Sequence, residues 1–127
     1  MKPLKKQPQK HLHLARRKMG HIVEEIYTAL IRGGGEEVQL RICREEEGLR
    51  LYAQADFLEV NRRFMERMGE VLQPPVRNSA LVQEFWELAG GDQYTTDSEL
   101  NLVGHMVDDA SLSIEGNCVN VELFVSF

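Results

Sequence analysis

The stretch Glu99–Phe127 decides the fold. It reads Glu99-Leu100-Asn101-Leu102-Val103-Gly104-His105-Met106-Val107-Asp108-Asp109, then Ala110-Ser111-Leu112-Ser113-Ile114-Glu115, and after Gly116-Asn117, Cys118-Val119-Asn120-Val121-Glu122-Leu123-Phe124-Val125-Ser126-Phe127. Leu100, Val103, Met106 and Val107 recur at helical spacing, with Asp97 or Ser98 placed to cap the helix. The period then drops to two. Leu112 and Ile114 alternate with Ser111 and Ser113; Val119, Val121, Leu123 and Val125 alternate with Asn120, Glu122 and Phe124. Strict alternation in adjacent runs predicts strands with one face buried and one wet.

The same pattern stands upstream. Val38, Leu40 and Ile42 alternate with Gln39, Arg41 and Cys43; beyond Glu45-Glu46-Glu47-Gly48, Leu49, Leu51, Ala53 and Ala55 alternate with Arg50, Tyr52 and Gln54. Four half-wet strands need helices over one side. The first helix is expected from about His13 to Arg32, with Met19, Ile22, Val23, Ile26, Ala29 and Leu30 on one face and Gly33-Gly34-Gly35 as its stop. The second follows Asp56 as N-cap, carries Phe57, Val60, Phe64, Met68 and Val71, and ends at Pro74-Pro75. The third opens at Asn78 or Ser79, carries Leu81, Val82, Phe85, Trp86 and Leu88, and stops at Gly90-Gly91. The order α-β-β-α-α-α-β-β predicts an α+β two-layer sandwich: a mostly antiparallel sheet of four or slightly more strands, covered on one face by helices.

At 127 residues the chain fits one domain. Residues 1–12 read as a disordered basic arm and 13–127 as the domain, since the first ten positions offer lysines and prolines and almost nothing to bury. Lys2, Lys5, Lys6, Lys10, Arg16, Arg17 and Lys18 meet no acid before position 19. With a net charge of −5 overall, the remainder sums to −12. An acidic body repels a nucleic-acid backbone, so a nucleic-acid partner is not expected. No apolar run reaches the ~20 residues of a bilayer span, and the N-terminus has no apolar signal core. Two cysteines, Cys43 and Cys118, do not make a disulfide framework, and a reduced, cytoplasmic protein is expected.

Three segments carry a resemblance. Glu24-Glu25-Ile26-Tyr27-Thr28-Ala29-Leu30-Ile31-Arg32-Gly33 lies on the first helix; Gln54-Ala55-Asp56-Phe57-Leu58 follows the first hairpin; Asp97-Ser98-Glu99-Leu100-Asn101-Leu102 opens the last helix. From about residue 20 to 127, their order resembles the histidine-kinase-like ATPase (GHKL) superfamily, and among its members the short anti-sigma-factor serine kinases. The resemblance implies that Glu24 matches the acid that serves many members as general base, and that Thr28 stands where a magnesium-binding Asn would be. It implies that Asp56, one position out of register, is what remains of the Asp that grips adenine. The phosphate-wrapping Gly-x-Gly-Leu-Gly-Leu run keeps Leu100 and Leu102 but has Asp97, Glu99 and Asn101 in place of its glycines. Two acids there oppose a triphosphate by roughly 1 kcal/mol each even with water-like screening.

Each residue also has a plainer role. Glu24 and Glu25 read as first-turn helix acids on a solvated face, Asp56 as an N-cap, and Leu100 and Leu102 as core. His11 and His13 lack a metal-type spacing with a further ligand, so no metal is expected. His21 is followed by Ile22 where a phosphoacceptor histidine is followed by an acid, and His105 reads as a surface histidine beside Asp108 and Asp109. No Walker loop, nucleophile elbow, CxxC pair or dinucleotide fingerprint occurs.

What the resemblance and these altered motifs imply together is a non-catalytic regulatory protein-binding domain with a degenerate kinase-type ATPase fold, in bacterial signalling or transcription control. No catalytic residue and no cofactor are expected; Glu24, Thr28, Asp56, Asp97, Glu99 and Asn101 are vestigial pocket positions. Phe85 and Trp86, on a helix apolar over more than one face, mark an expected interface with a protein partner or a second copy. The alternatives are a divergent ATP-dependent serine or histidine kinase, with Glu24 as base and Mg-ATP as cofactor, and an unrelated α+β structural or interaction domain.

Overall fold

The computed structural model describes residues 9–74, 77 and 96–127. In chain order its elements are α1 (Gln9–Ile31), β1 (Gly34–Arg44), β2 (Gly48–Phe57), a 3-10 turn (Glu59–Asn61), α2 (Arg62–Leu72), α3 (Thr96–Met106), β3 (Asp109–Glu115) and β4 (Cys118–Ser126). The fold is α+β, as expected: the strands form one antiparallel sheet in the order β1-β2-β4-β3. Both hairpins therefore share a single sheet, joined where β2 pairs with β4. The helix expected over residues 78–90, with Phe85 and Trp86, lies outside the described residues.

Register explains the buried face. Leu51 of β2 lies opposite Ile42 of β1 and Leu123 of β4; Ala53 lies opposite Leu40 and Val121; Ala55 lies opposite Val38 and Val119. Across the next pairing, Leu123, Val121 and Val119 face Ala110, Leu112 and Ile114. One apolar stripe thus crosses all four strands beneath the helices. Leu51, Val119 and Leu123 are fully buried, and each such side chain stabilises the fold by about 1.5–3 kcal/mol. On the opposite face Arg50 bridges Glu45 and Glu122, and the Arg41 guanidinium lies 4.2 Å from the centre of the Tyr52 ring.

α1 buries Ala15, Met19, Ile22, Ile26, Ala29 and Leu30, the face its periodicity marks, and begins at Gln9 rather than His13. Gly34, with φ of +80°, turns the chain out of the helix into β1, a conformation other residues adopt at a cost. The next residue is constrained by space. A Cβ on Gly35 would run into the backbone carbonyl of Asp56.

The second helix corrects the sequence expectation. Asp56 and Phe57 belong to β2, and α2 begins only at Arg62 with Asn61 before it. The buried residues of α2 are Met65, Met68, Gly69 and Leu72; Val60 sits in the 3-10 turn and is 84% exposed. The strand outcompetes the cap because Asp56 has better partners across the sheet, described below. α3 starts at Thr96 and buries Leu100, Leu102, Val103 and Met106, with Val107 just beyond its end. It crosses α2 closely: a Cβ on Gly104 would stand 2.5 Å from the Val71 carbonyl oxygen.

Candidate functional site

α1 sets His21, Glu24, Glu25 and Thr28 at helical offsets of three, four and seven, so they share one stripe. Packing of α1 against α3 brings Glu99 to that stripe. Ligand-type atoms of His21, Glu24 and Glu25 all lie within 4.8 Å of one another. Glu24 is exposed, His21 and Glu99 are half-buried, and Glu25 is 6% exposed, the one buried charged side chain among the described residues.

Burial of Glu25 penalises its ionised form. A side-chain hydrogen bond with Glu99 and the charges of Glu99 and Glu24 act in the same direction, and together they lift its pKa to about 7. Its Oε2 atom has no hydrogen-bond partner. Burial likewise lowers the pKa of His21, against the pull of Glu24 and Glu99. The expectation that Glu25 is a first-turn acid on a solvated face is thus corrected. The helix starts at Gln9, which places Glu25 well inside it, and the side chain turns toward α3.

The other positions that the resemblance singles out are engaged elsewhere. Thr28 Oγ1 donates to the backbone carbonyl of Glu24 at 2.8 Å. β1 is irregular against β2 between Gly34 and Val38, which leaves ladder N–H groups there without strand partners. The Asp56 carboxylate takes them: it accepts from Glu36 N–H at 2.9 and 3.0 Å and from Glu37 N–H at 2.9 Å. These bonds hold the Asp56 carboxyl below its usual range. Asp56 is therefore an anchor of the β1–β2 pair, not the cap of α2.

In the third segment, Leu100 and Leu102 are buried as core residues and Asn101 between them is exposed. The side chain of Asp97 lies outside the described residues, as do Phe85 and Trp86. The structure thus joins Glu24 to Glu99 through Glu25, and leaves Thr28, Asp56 and Asn101 in other roles. Sequence reasoning missed the pairing of His21 with Glu25. The spacing His21-x-x-Glu24-Glu25 was a visible signal for a shared helix stripe, but the approach of Glu99 from 74 positions downstream depends on helix packing.

A second feature lies along β1. Of its eleven residues, all but Val38 and Cys43 are exposed. Leu40 and Ile42 point to the helical side, opposite buried Ala53 and Leu51, yet remain 36% and 50% exposed. Tyr27 and Ile31 of α1 are about half-exposed, and they border Val38 in a shallow groove that also includes Leu30. An apolar margin therefore runs from Tyr27 and Ile31 to Leu40 and Ile42, with the carboxylates of Glu36, Glu37 and Asp56 lining the groove beside it. Among the described residues, no helix is long and apolar enough to cross a membrane. Comparison of the chain with protein-family models, with curated proteins and with solved structures returns no match.

Proposed function

We propose that this chain is a regulatory protein-binding domain without catalysis of its own, a degenerate relative of the kinase-type ATPases acting in bacterial signalling or transcription control. The observation that carries the binding role is the apolar margin at β1. An edge strand presenting Leu40 and Ile42 to water, beside Tyr27 and Ile31, is a surface that folded proteins ordinarily cover or charge. Among the described residues the helical layer leaves Leu40 and Ile42 exposed, so the partner that fits is the apolar face of an amphipathic helix lying alongside α1 over Val38, Leu40 and Ile42.

The absence of nucleotide chemistry is supported by where the candidate ligands go. Asp56 is held by the backbone of β1, Thr28 by its own helix, and Glu99 faces another carboxyl group rather than open space. A purine would lack its carboxylate acceptor, and a phosphate tail would approach like charge.

A photo-crosslinking residue at Ile42, set beside one at Arg63 on the exposed side of α2, tests the binding role in the native host. The expected result is a discrete protein adduct from position 42 that position 63 does not give. Equal labelling from both positions contradicts the assignment, and a self-adduct at position 42 would make the partner a second copy of the chain.

A further inference from the structure

We propose that His21, Glu24 and Glu25 of α1, together with Glu99 of α3, form a site for one divalent transition-metal ion, with Zn(II) the best match. This goes beyond the binding role argued above and does not depend on it.

The first support is geometric. One imidazole and two carboxylates already place ligand atoms within 4.8 Å of one another on a single helix stripe. Zinc holds nitrogen and oxygen ligands at about 2.0–2.2 Å, so ligands around one ion stand about 3.5 Å apart. Glu24 is exposed and His21 only half-buried, so binding the ion asks these two side chains to draw together by about an ångström. Glu99, on the neighbouring helix, stands outside that cluster but acts electrostatically on both Glu25 and His21, and in the proposed site it swings in as the fourth donor.

The second support is the burial of one cluster member and the state of one of its oxygens. Glu25 is more than nine-tenths buried, and its Oε2 has no hydrogen-bond partner although it belongs to the group that faces His21 and Glu24. A buried carboxylate oxygen without a donor is a costly arrangement, and a cation removes that cost. A single proton between Glu25 and Glu99 satisfies one contact. An ion at the cluster would meet His21, Glu24 and Glu25 of α1, and Glu99 turned toward it would tie α1 to α3.

The ligand chemistry selects the ion. One nitrogen and three carboxylate oxygens suit Zn(II), and after it Mn(II) or Fe(II). An all-oxygen set would favour Mg(II) or Ca(II), but the imidazole disfavours these hard ions.

The test is thermal melting and calorimetric titration of the whole chain with Zn(II) alone, set against Mg(II) alone. The expected result is one saturable site per chain, a Zn(II)-dependent rise in Tm of several degrees, and no comparable rise with Mg(II). Glu25→Gln keeps the shape of the buried side chain and removes its charge. It should melt cooperatively without metal and lose the Zn(II)-dependent rise, as should Glu99→Gln. The double variant His11→Ala, His13→Ala should keep the rise, because those histidines lie outside the site. In a Co(II)-loaded sample, visible d–d absorption should disappear with His21→Ala. Absence of Zn(II) binding in the wild type overturns the proposal. So does a Zn(II) response that survives Glu25→Gln and Glu99→Gln, or one that vanishes with the two arm histidines. If Glu25→Gln fails to fold, the Co(II) spectrum of Glu99→Gln decides: an unchanged spectrum overturns the site.

Discussion

Glu25 of α1 and Glu99 of α3 face each other carboxyl to carboxyl across the helix–helix contact, so that a proton shared between them is favoured. Two carboxyl groups can hydrogen-bond only with a proton on one of them. Because Glu25 is the buried member, its neutral form is the one that packing favours. Folding therefore draws a proton to this contact at a pH where an exposed glutamate has lost it.

That linkage fixes a sign. The pKa of Glu25 rises from 4.5 to about 7 on folding, so its contribution is fully present below pH 4.5 and is lost as pH rises through 7. His21, whose pKa is lowered, works in the opposite direction and loses its contribution as pH falls through its ordinary range. Glu24 and Glu99 are the charged groups acting on both. Glu25→Gln keeps His21 and removes the glutamate's titration. Chemical denaturation across pH should show the wild type losing stability relative to this variant between pH 4.5 and 7, by on the order of 2 kcal/mol. Parallel curves would mean that Glu25 is not buried as described.

Asp56 gives the opposite case. Its carboxylate accepts the N–H groups of Glu36 and Glu37, and its pKa is held below the usual range. Its contribution is present above that range and is lost as pH falls through the depressed value. Asp56→Asn should melt at a lower temperature than the wild type at neutral pH, with the two converging in strong acid. A cap-type role would instead leave the β1–β2 pair intact. Amide exchange at Glu36 and Glu37 separates the two, and faster exchange in the variant is the expected result.

The crossing of α2 and α3 rests on a missing side chain. Gly104→Ala places a Cβ 2.5 Å from the Val71 carbonyl and 3.3 Å from the Leu72 Cα, so the helices must separate. A loss of about 1–3 kcal/mol is expected in denaturant melts. Gly20→Ala is the matched control: it meets nothing within 4 Å on the exposed side of α1. It should gain up to about 1 kcal/mol from helix propensity alone.

The strands were legible because strict alternation sustained over several residues suits a half-buried strand and no regular helix. β1 through β4 fall where Leu40, Leu51, Leu112 and Val121 mark them. The start of α2 was not legible. Asp56 followed by an apolar residue looks like a cap, and the N–H groups that claim it lie some twenty residues upstream, at an irregularity in strand pairing. The site was half legible for the same reason. His21, Glu24 and Glu25 are neighbours by helical spacing alone, whereas Glu99 joins them only once Leu100 and Val103 seat α3 against the core. Burial of Glu25 follows from that packing and from nothing in its own sequence neighbours.

Leu40 and Ile42 should be dispensable for folding and needed for recognition. The double variant Leu40→Lys, Ile42→Lys changes side chains that are already 36% and 50% exposed, so its Tm should stay near the wild-type value, within about 0.5 kcal/mol of stability per position. The crosslinked adduct formed from a neighbouring position on α1, Ile31, should disappear in this variant. Retention of that adduct would place the partner on another surface.

Thermal melting in millimolar Mg-ATP bears most directly on the proposal that this chain binds protein and not nucleotide. A ligand at ~100 times its dissociation constant raises stability by about 2.7 kcal/mol, several degrees for a chain of this size. With Asp56 bound to β1 and Glu99 facing Glu25, the expected curve superimposes on that of the protein alone. A clear upward displacement would mean that a nucleotide is held after all, and the chain would then have to be treated as a working ATP-dependent enzyme.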